Sequence, residues 1–155
     1  MINLIWAMDV NWLIGNDDKL PWRYVEDINY FKQMVRGKTV LMGDKTYESL
    51  KGYYKKNPFP FNEYYIASLD SAYQGSHIVR DIDVFLKNYQ EELWVIGGSK
   101  IYELSLPYAN RLYITWILKP YEGNKYFPKF DLKAYHIIKE TKGEHKDLSF
   151  MVYEK

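Results

Sequence analysis

Three short apolar runs limit what this chain can fold into more than any other feature. They are Ile2 to Met8, Thr39-Val40-Leu41-Met42 and Leu93-Trp94-Val95-Ile96. None alternates polar with apolar, so each needs cover on both faces, as strands of a parallel sheet do. The second run ends in Gly43 and leads into a short helix from about Lys45 to Leu50. The third ends in Gly97-Gly98 and leads into a helix through about Leu104, with Pro107 ending that element. Strand, glycine, helix is the order of crossover units, which points to an α/β fold.

The remaining segments fit that frame. A helix is predicted from about Tyr24 to Val35, with Ile28, Phe31, Met34 and Val35 on one stripe. Tyr64 to Ala67, His77 to Val79 and Arg111 to Leu118 read as strands. Asp81 to Tyr89 reads as a helix capped by Asp81, with Val84, Phe85 and Tyr89 on one side. Tyr135 to Thr141 and Leu148 to Tyr153 form a hairpin around Lys142-Gly143-Glu144, an antiparallel edge on the sheet. The expectation is one domain over residues 1–155: a central, mainly parallel sheet with about four flanking helices.

Composition removes several functional classes. The net charge of +1 argues against a dedicated nucleic-acid or membrane surface. With no cysteine there is neither a disulfide framework nor thiolate chemistry. The three histidines lack metal-ligand spacing, so no metal site is expected, and no Ser-His-Asp set is suggested. Met1 runs straight into a strand without the features of a signal peptide, and no apolar run reaches the ~18 residues of a membrane helix. A soluble cytoplasmic protein is expected. Aromatic residues make up 18% of the chain, including 16 tyrosines, so core and pocket walls should be rich in rings.

Candidate chemistry gathers around Leu20-Pro21-Trp22 and the helix after it. Asp27 sits at the edge of the helix's apolar stripe, where a carboxylate must be paired, take strong donors or hold a proton. Such a group can bind a protonated nitrogen heterocycle and pass it a proton. Alternatively, Glu26 and Asp27 are simply first-turn acids favoured by the helix dipole. The turns at Gly43 and Gly97-Gly98 have the form of anion sites, with free N–H groups at a helix start. They lack the G-x-G-x-x-G fingerprint. Asp9 to Lys19 is turn-rich, either a plain surface connection or a mobile lid.

Four blocks resemble the dihydrofolate reductase family in order and spacing. They are Leu20-Pro21-Trp22 with Asp27 and Phe31-Lys32; Met42-Gly43-x-Lys45-Thr46-Tyr47-Glu48-Ser49; Val95-Ile96-Gly97-Gly98-x-x-Ile101-Tyr102; and Leu112-Tyr113-Ile114-Thr115. The resemblance implies an eight-stranded sheet, a monomer, NADPH as cofactor, and dihydrofolate or folate analogues as ligands. It implies reduction of 7,8-dihydrofolate to tetrahydrofolate in one-carbon metabolism. Asp27 would assist protonation of N5, Trp22 would orient a water, and Thr115 would bridge Asp27 to the pterin. The carbonyls of Ile5 and Ile96 would accept from the pterin amino group. Ala7, Ile28, Phe31, Lys32, Leu50 and Phe59 complete the implied substrate site. The implied cofactor site has Ala7, Ile14 and Gly15 at the nicotinamide amide, with Asn16, Lys19 and Leu20 in the loop that closes over it. Its phosphate and adenosine side is Gly43, Asp44, Lys45, Thr46, Ser68, Leu69 and Arg80. Gly97 and Gly98, joined by a cis peptide, Ser99, Lys100, Ile101 and Tyr102 form the other glycine turn.

Two departures from the family's pattern matter. The residue after the first glycine is usually basic and helps hold the 2′-phosphate; here it is Asp44, and Ser68-Leu69 keeps only the hydroxyl of the second phosphate-holding place. Tolerance of NADH is therefore expected, with Lys45, Arg80 and Lys100 as alternative phosphate ligands. The family also has an Arg near the position of Asn62 to grip the substrate's glutamate carboxylate. None of Arg23, Arg36, Arg80 or Arg111 matches that place, and Lys32, Lys55 or Lys56 would offer only a point charge. Two other readings stay open: the related pyrimidine reductase of riboflavin synthesis, and a protein that binds pterin or nucleotide without turnover.

Overall fold

Nothing along Ile2–Asp9 can face water, so this strand (β1) sits inside the sheet, with Leu4 and Met8 fully buried. The computed structural model describes residues 1–17 and 19–155. The chain continues through β2 (Leu13–Gly15), α1 (Val25–Val35), β3 (Thr39–Gly43), α2 (Asp44–Tyr53), β4 (Glu63–Ala67) and β5 (Ile78–Val79). Then come α3 (Ile82–Asn88), β6 (Leu93–Val95), α4 (Ser99–Ser105), β7 (Arg111–Ile117), β8 (Lys125–Tyr126), β9 (His136–Lys142) and β10 (Leu148–Glu154). The eight-stranded sheet has the order β5-β4-β3-β6-β1-β7-β10-β9. All pairings from β5 to β7 are parallel, and β10 joins β7 and β9 antiparallel, as the hairpin reading expected.

Alternation along β1 divides the core. Ile2, Leu4, Trp6 and Met8 enter one cluster with Leu93, Val95, Leu112 and Phe127. Ile5 enters the other, with Val35, Val40, Met42, Ile66, Trp94 and Ile96. The expected ring content is real packing: Trp6 stacks on Phe127 at 3.9 Å between centroids, and Tyr47 stacks on Tyr64 at 5.7 Å.

Several local expectations change. Helix α2 runs past Leu50 to Tyr53, through Gly52, which has open space around it. In α3 the buried side belongs to Ile82 and Leu86, while Val84 is 54% exposed. Asp81 does cap α3, accepting from the Val84 N–H at 3.1 Å. The segment from Asp9 to Lys19 is not a free loop, because β2 inside it pairs with β8.

Asp9 fixes that arrangement. It is a fully buried carboxylate at the end of β1. Oδ1 accepts the backbone N–H groups of Asn11 at 2.8 Å and Leu13 at 2.9 Å, and Oδ2 accepts that of Tyr121 at 2.9 Å. One side chain thus ties the segment after β1 to the segment before β8. Its sequence signal was an Asp closing an apolar strand just before Asn11, a pattern suited to an Asx turn.

Candidate active site

The sheet order places a crevice between β3 and β6. The chain travels outward from β3 to β4 and β5, then returns to lay β6 inside β3. Loops after these two neighbours therefore part in opposite directions at the carboxyl ends of the strands, a topological switch point. The glycine turns meet here: the Gly43 N–H donates to the Gly97 carbonyl at 2.7 Å. Gly97 has φ of +122° and its peptide to Gly98 is cis, as the resemblance implied. A Cβ on Gly43 would lie 3.0 Å from Ile101 Cγ1, and one on Gly97 would lie 3.3 Å from the Tyr102 ring. Gly98 lies against Thr46, whose Oγ1 would be 3.4 Å from a Cβ there. Helices α2 and α4 both start at this point without a side-chain cap, so their first N–H groups are open to an anion. Ser99 opens α4. This cradle of small residues and open N–H groups fits a pyrophosphate.

Asp27 lies in the first turn of α1, the residue partly exposed but its carboxyl largely buried. Burial pushes its carboxyl up to about 6; the Glu26 charge adds to the rise, and a hydrogen bond from Thr115 works against it. Thr115 is 2% exposed on β7, in register with Ala7 of β1. Glu26 turns away and accepts the backbone N–H groups of Glu144 and His145 at 2.8 and 3.0 Å, pinning α1 to the β9–β10 hairpin. Trp22 is buried against Tyr121, Leu13 and Leu148. Its indole N–H has no acceptor among the described residues, as is also true of Trp6. Of the four stripe residues on α1 only Val35 is fully buried; Ile28, Phe31 and Met34 are half-exposed. Phe31, Leu50 and Phe59 border the same core cluster and make an apolar wall beside Asp27's helix.

Other expected contacts are partly committed. Tyr102 is buried and its hydroxyl donates to the Ile5 carbonyl at 2.6 Å, taking one of that oxygen's two acceptor positions. Ile96 is buried, and its N–H donates to Leu41. The Gly15 carbonyl accepts from Asn124 N–H at 3.1 Å. Asn16 and Lys19 use both backbone groups on each other. Ala7 and Ile14 are half-exposed. Leu20 is 62% exposed.

A recess with basic side chains lies at the end of α1. It has a volume of about 410 Å³ and is lined by Lys32, Arg36, Tyr53, Tyr54, Asn57, Pro58, Phe59 and Pro60. Lys32 reaches over the rings of Tyr53 and Tyr54, 6.0 and 5.7 Å from their centroids. Arg36, at the end of α1, is exposed and makes no ion pair among the described residues. Asn62 does not line this recess, whereas Arg36, from another element, does. The signal was the spacing: Lys32 and Arg36 are four apart on one helix face.

On the adenosine side, the Arg80 guanidinium donates three of its five N–H groups to the carbonyls of Ser68 at 2.7 Å, Asp70 at 2.9 Å and Tyr73. Lys100 pairs with Glu103 at 3.2 Å, Lys45 is exposed, and Leu69 is 86% exposed. Ser68 donates to Asp44 at 2.6 Å.

An α/β domain with an anion cradle at its switch point and a carboxyl raised to about 6 beside an apolar wall has the layout of a dinucleotide-dependent enzyme acting on a protonatable ring. Comparison with known proteins makes this specific. The profile of the family described as Dihydrofolate reductase matches residues 1–155. The dihydrofolate reductase of Bacillus subtilis is 37% identical over 164 aligned residues, covering 100% of this chain and 95% of that protein. That of Buchnera aphidicola is 37% identical, covering 86% and 83%. The fold matches the solved structure of Enterococcus faecalis dihydrofolate reductase complexed with NADP(H) and RAB-propyl, with a TM-score of 0.84, 24% identity, and coverage of 99% and 95%. The chain belongs to the dihydrofolate reductase family.

No helix among the described residues is long and apolar enough to cross a membrane, and no group of three metal-ligating side chains occurs among them.

Proposed function

We propose that the protein reduces 7,8-dihydrofolate to 5,6,7,8-tetrahydrofolate with NADPH, as a monomeric cytoplasmic enzyme of one-carbon metabolism. The observation that carries the reading is Asp27, a buried carboxyl raised to about 6 against Thr115, beside the switch-point cradle. NADPH, when bound, supplies the hydride from nicotinamide C4 to C6 of the dihydropterin. Reduction of the N5=C6 bond leaves N5 needing a proton. Asp27 binds the pterin's amino edge and, titrating near neutrality, favours that protonation. Thr115 orients the carboxyl, and the Trp22 N–H is a donor suited to positioning a water on the proton's route. Loss of nicotinamide absorbance with purified protein, dihydrofolate and NADPH tests the reading. Turnover is expected; absence of turnover in protein that binds a folate analogue would favour a binding protein.

The recess at the end of α1 accounts for the tail of the substrate. Arg36 offers the planar fork that a carboxylate accepts bidentately, and Lys32 adds a second charge at the rim. Phe31, Leu50 and Phe59 lie along the path from Asp27 to this recess and fit an aromatic ring. Arg36→Met is expected to raise KM for dihydrofolate by about tenfold or more, with kcat nearly unchanged. A dihydropterin without the glutamate should be unaffected by the substitution. Equal losses for both substrates would remove Arg36 from tail recognition.

A further inference from the structure

We infer that this protein binds NADH about as well as NADPH, because the adenosine end of its cofactor site meets a ribose hydroxyl with an acceptor and a phosphate with like charge. The inference rests on the reductase reading and concerns one corner of the site. The family resemblance gives its position. With a pyrophosphate held between the Gly43 and Gly97-Gly98 turns and the nicotinamide toward Tyr102, the adenosine would extend the other way, over the ends of the neighbouring strands β3 and β4. Asp44, the first residue of α2, and Ser68, the first residue after β4, stand there.

These two residues face each other. The Ser68 hydroxyl gives its only proton to Asp44 Oδ2 at 2.6 Å, and its oxygen accepts the Asp70 N–H at 3.1 Å. A phosphate arriving here would find that hydroxyl's proton already committed. It would also meet the like charge of Asp44 in the first turn of α2. Asp70 adds to the negative charge: with Asp44 it acts on Tyr73, whose hydroxyl donates to Glu48, itself paired with Lys51 at 3.2 Å. Arg80, the one guanidinium at this corner, is held by three backbone carbonyls, and withdrawing it would unfasten the loop after β4. A ribose 2′-hydroxyl fits better. Asp44 Oδ1 makes no hydrogen bond among the described residues and can accept one, as an acidic residue does in sites selective for the unphosphorylated dinucleotide.

Titration calorimetry of the purified protein with ADP-ribose and with its 2′-phosphate isolates this corner, and NADH and NADPH then test the whole cofactor. Within each pair the phosphorylated ligand is expected to bind less than about tenfold tighter than the other. Asp44→Asn should shift the balance several-fold toward the phosphorylated ligand. Asp44→Arg, which also frees Ser68, should shift it by about a hundredfold. A preference of about tenfold or more for the phosphorylated ligand in the unaltered protein would overturn the inference and leave the reductase reading standing. No binding by any of the four would overturn both.

Discussion

Asp27→Asn is expected to lower turnover of dihydrofolate at neutral pH by about 10²–10⁴-fold, the range associated with a positioned acid–base group. Cofactor affinity should change less than about twofold, because the carboxyl stands across the crevice from the glycine turns. Equal losses in both would contradict the role. The same substitution should make the protein more stable, with a definite dependence on pH. The carboxyl titrates near 6 when folded and near 3.8 ordinarily, so the folded state binds more protons between those values. Stability is undiminished below about 4, falls as pH rises through the window, and above about 6 carries a deficit of up to about 3 kcal/mol. Asn cannot ionise and escapes this deficit. Urea unfolding at about pH 8 should therefore show the variant more stable by up to that amount, and the difference should vanish near pH 4. A carboxylate that destabilises the fold but is needed for turnover marks a site placed for chemistry.

Asp9→Ala is expected to have the largest effect on stability, a loss of about 3–5 kcal/mol. Three backbone N–H groups, those of Asn11, Leu13 and Tyr121, lose a charged acceptor together. Leu13 is itself fully buried, so water cannot fully replace the lost partner. For a domain of this size the loss corresponds to a fall in Tm of about 10 °C. The effect should be local as well as global. Amide exchange at Leu13 and Tyr121 should quicken more than at Leu112 in β7. Unchanged protection at Leu13 would show that the β2–β8 pairing holds the segment without Asp9.

The legible parts of the fold were those dictated by continuous burial. Ile2 to Met8, Val40 to Met42 and Leu93 to Val95 have no polar residue that could face water except Asn3, which is buried too. The short strands β2 and β8 escaped because three and two residues carry no period, and their pairing joins distant segments. Val84 misled for a related reason: in a seven-residue helix one apolar residue more or less decides the face, and Ile82 and Leu86 took it. Around the crevice, the contact of Asp27 with Thr115 and the meeting of the two glycine turns follow from the family resemblance, which named these residues together. Arg36 reaches its recess from the end of α1, beside residues 53–60 of a separate segment, a neighbourhood that position along the chain does not reveal. Asp44 and Ser68 were each noticed, but their hydrogen bond depends on β3 and β4 being neighbours. Arg80 looked available because a sequence cannot show that three carbonyls already hold it.

The most direct test of Asp27's part in the reaction is the rate of a single turnover, followed by nicotinamide absorbance with dihydrofolate and saturating NADPH across about pH 5 to 9. The expected profile is a plateau at low pH and a fall approaching tenfold per pH unit above the carboxyl's value of about 6. Asp27→Asn should lack that break. A rate independent of pH in the unaltered protein, or a break of the same shape in Asp27→Asn, would mean that the proton reaches N5 without this carboxyl.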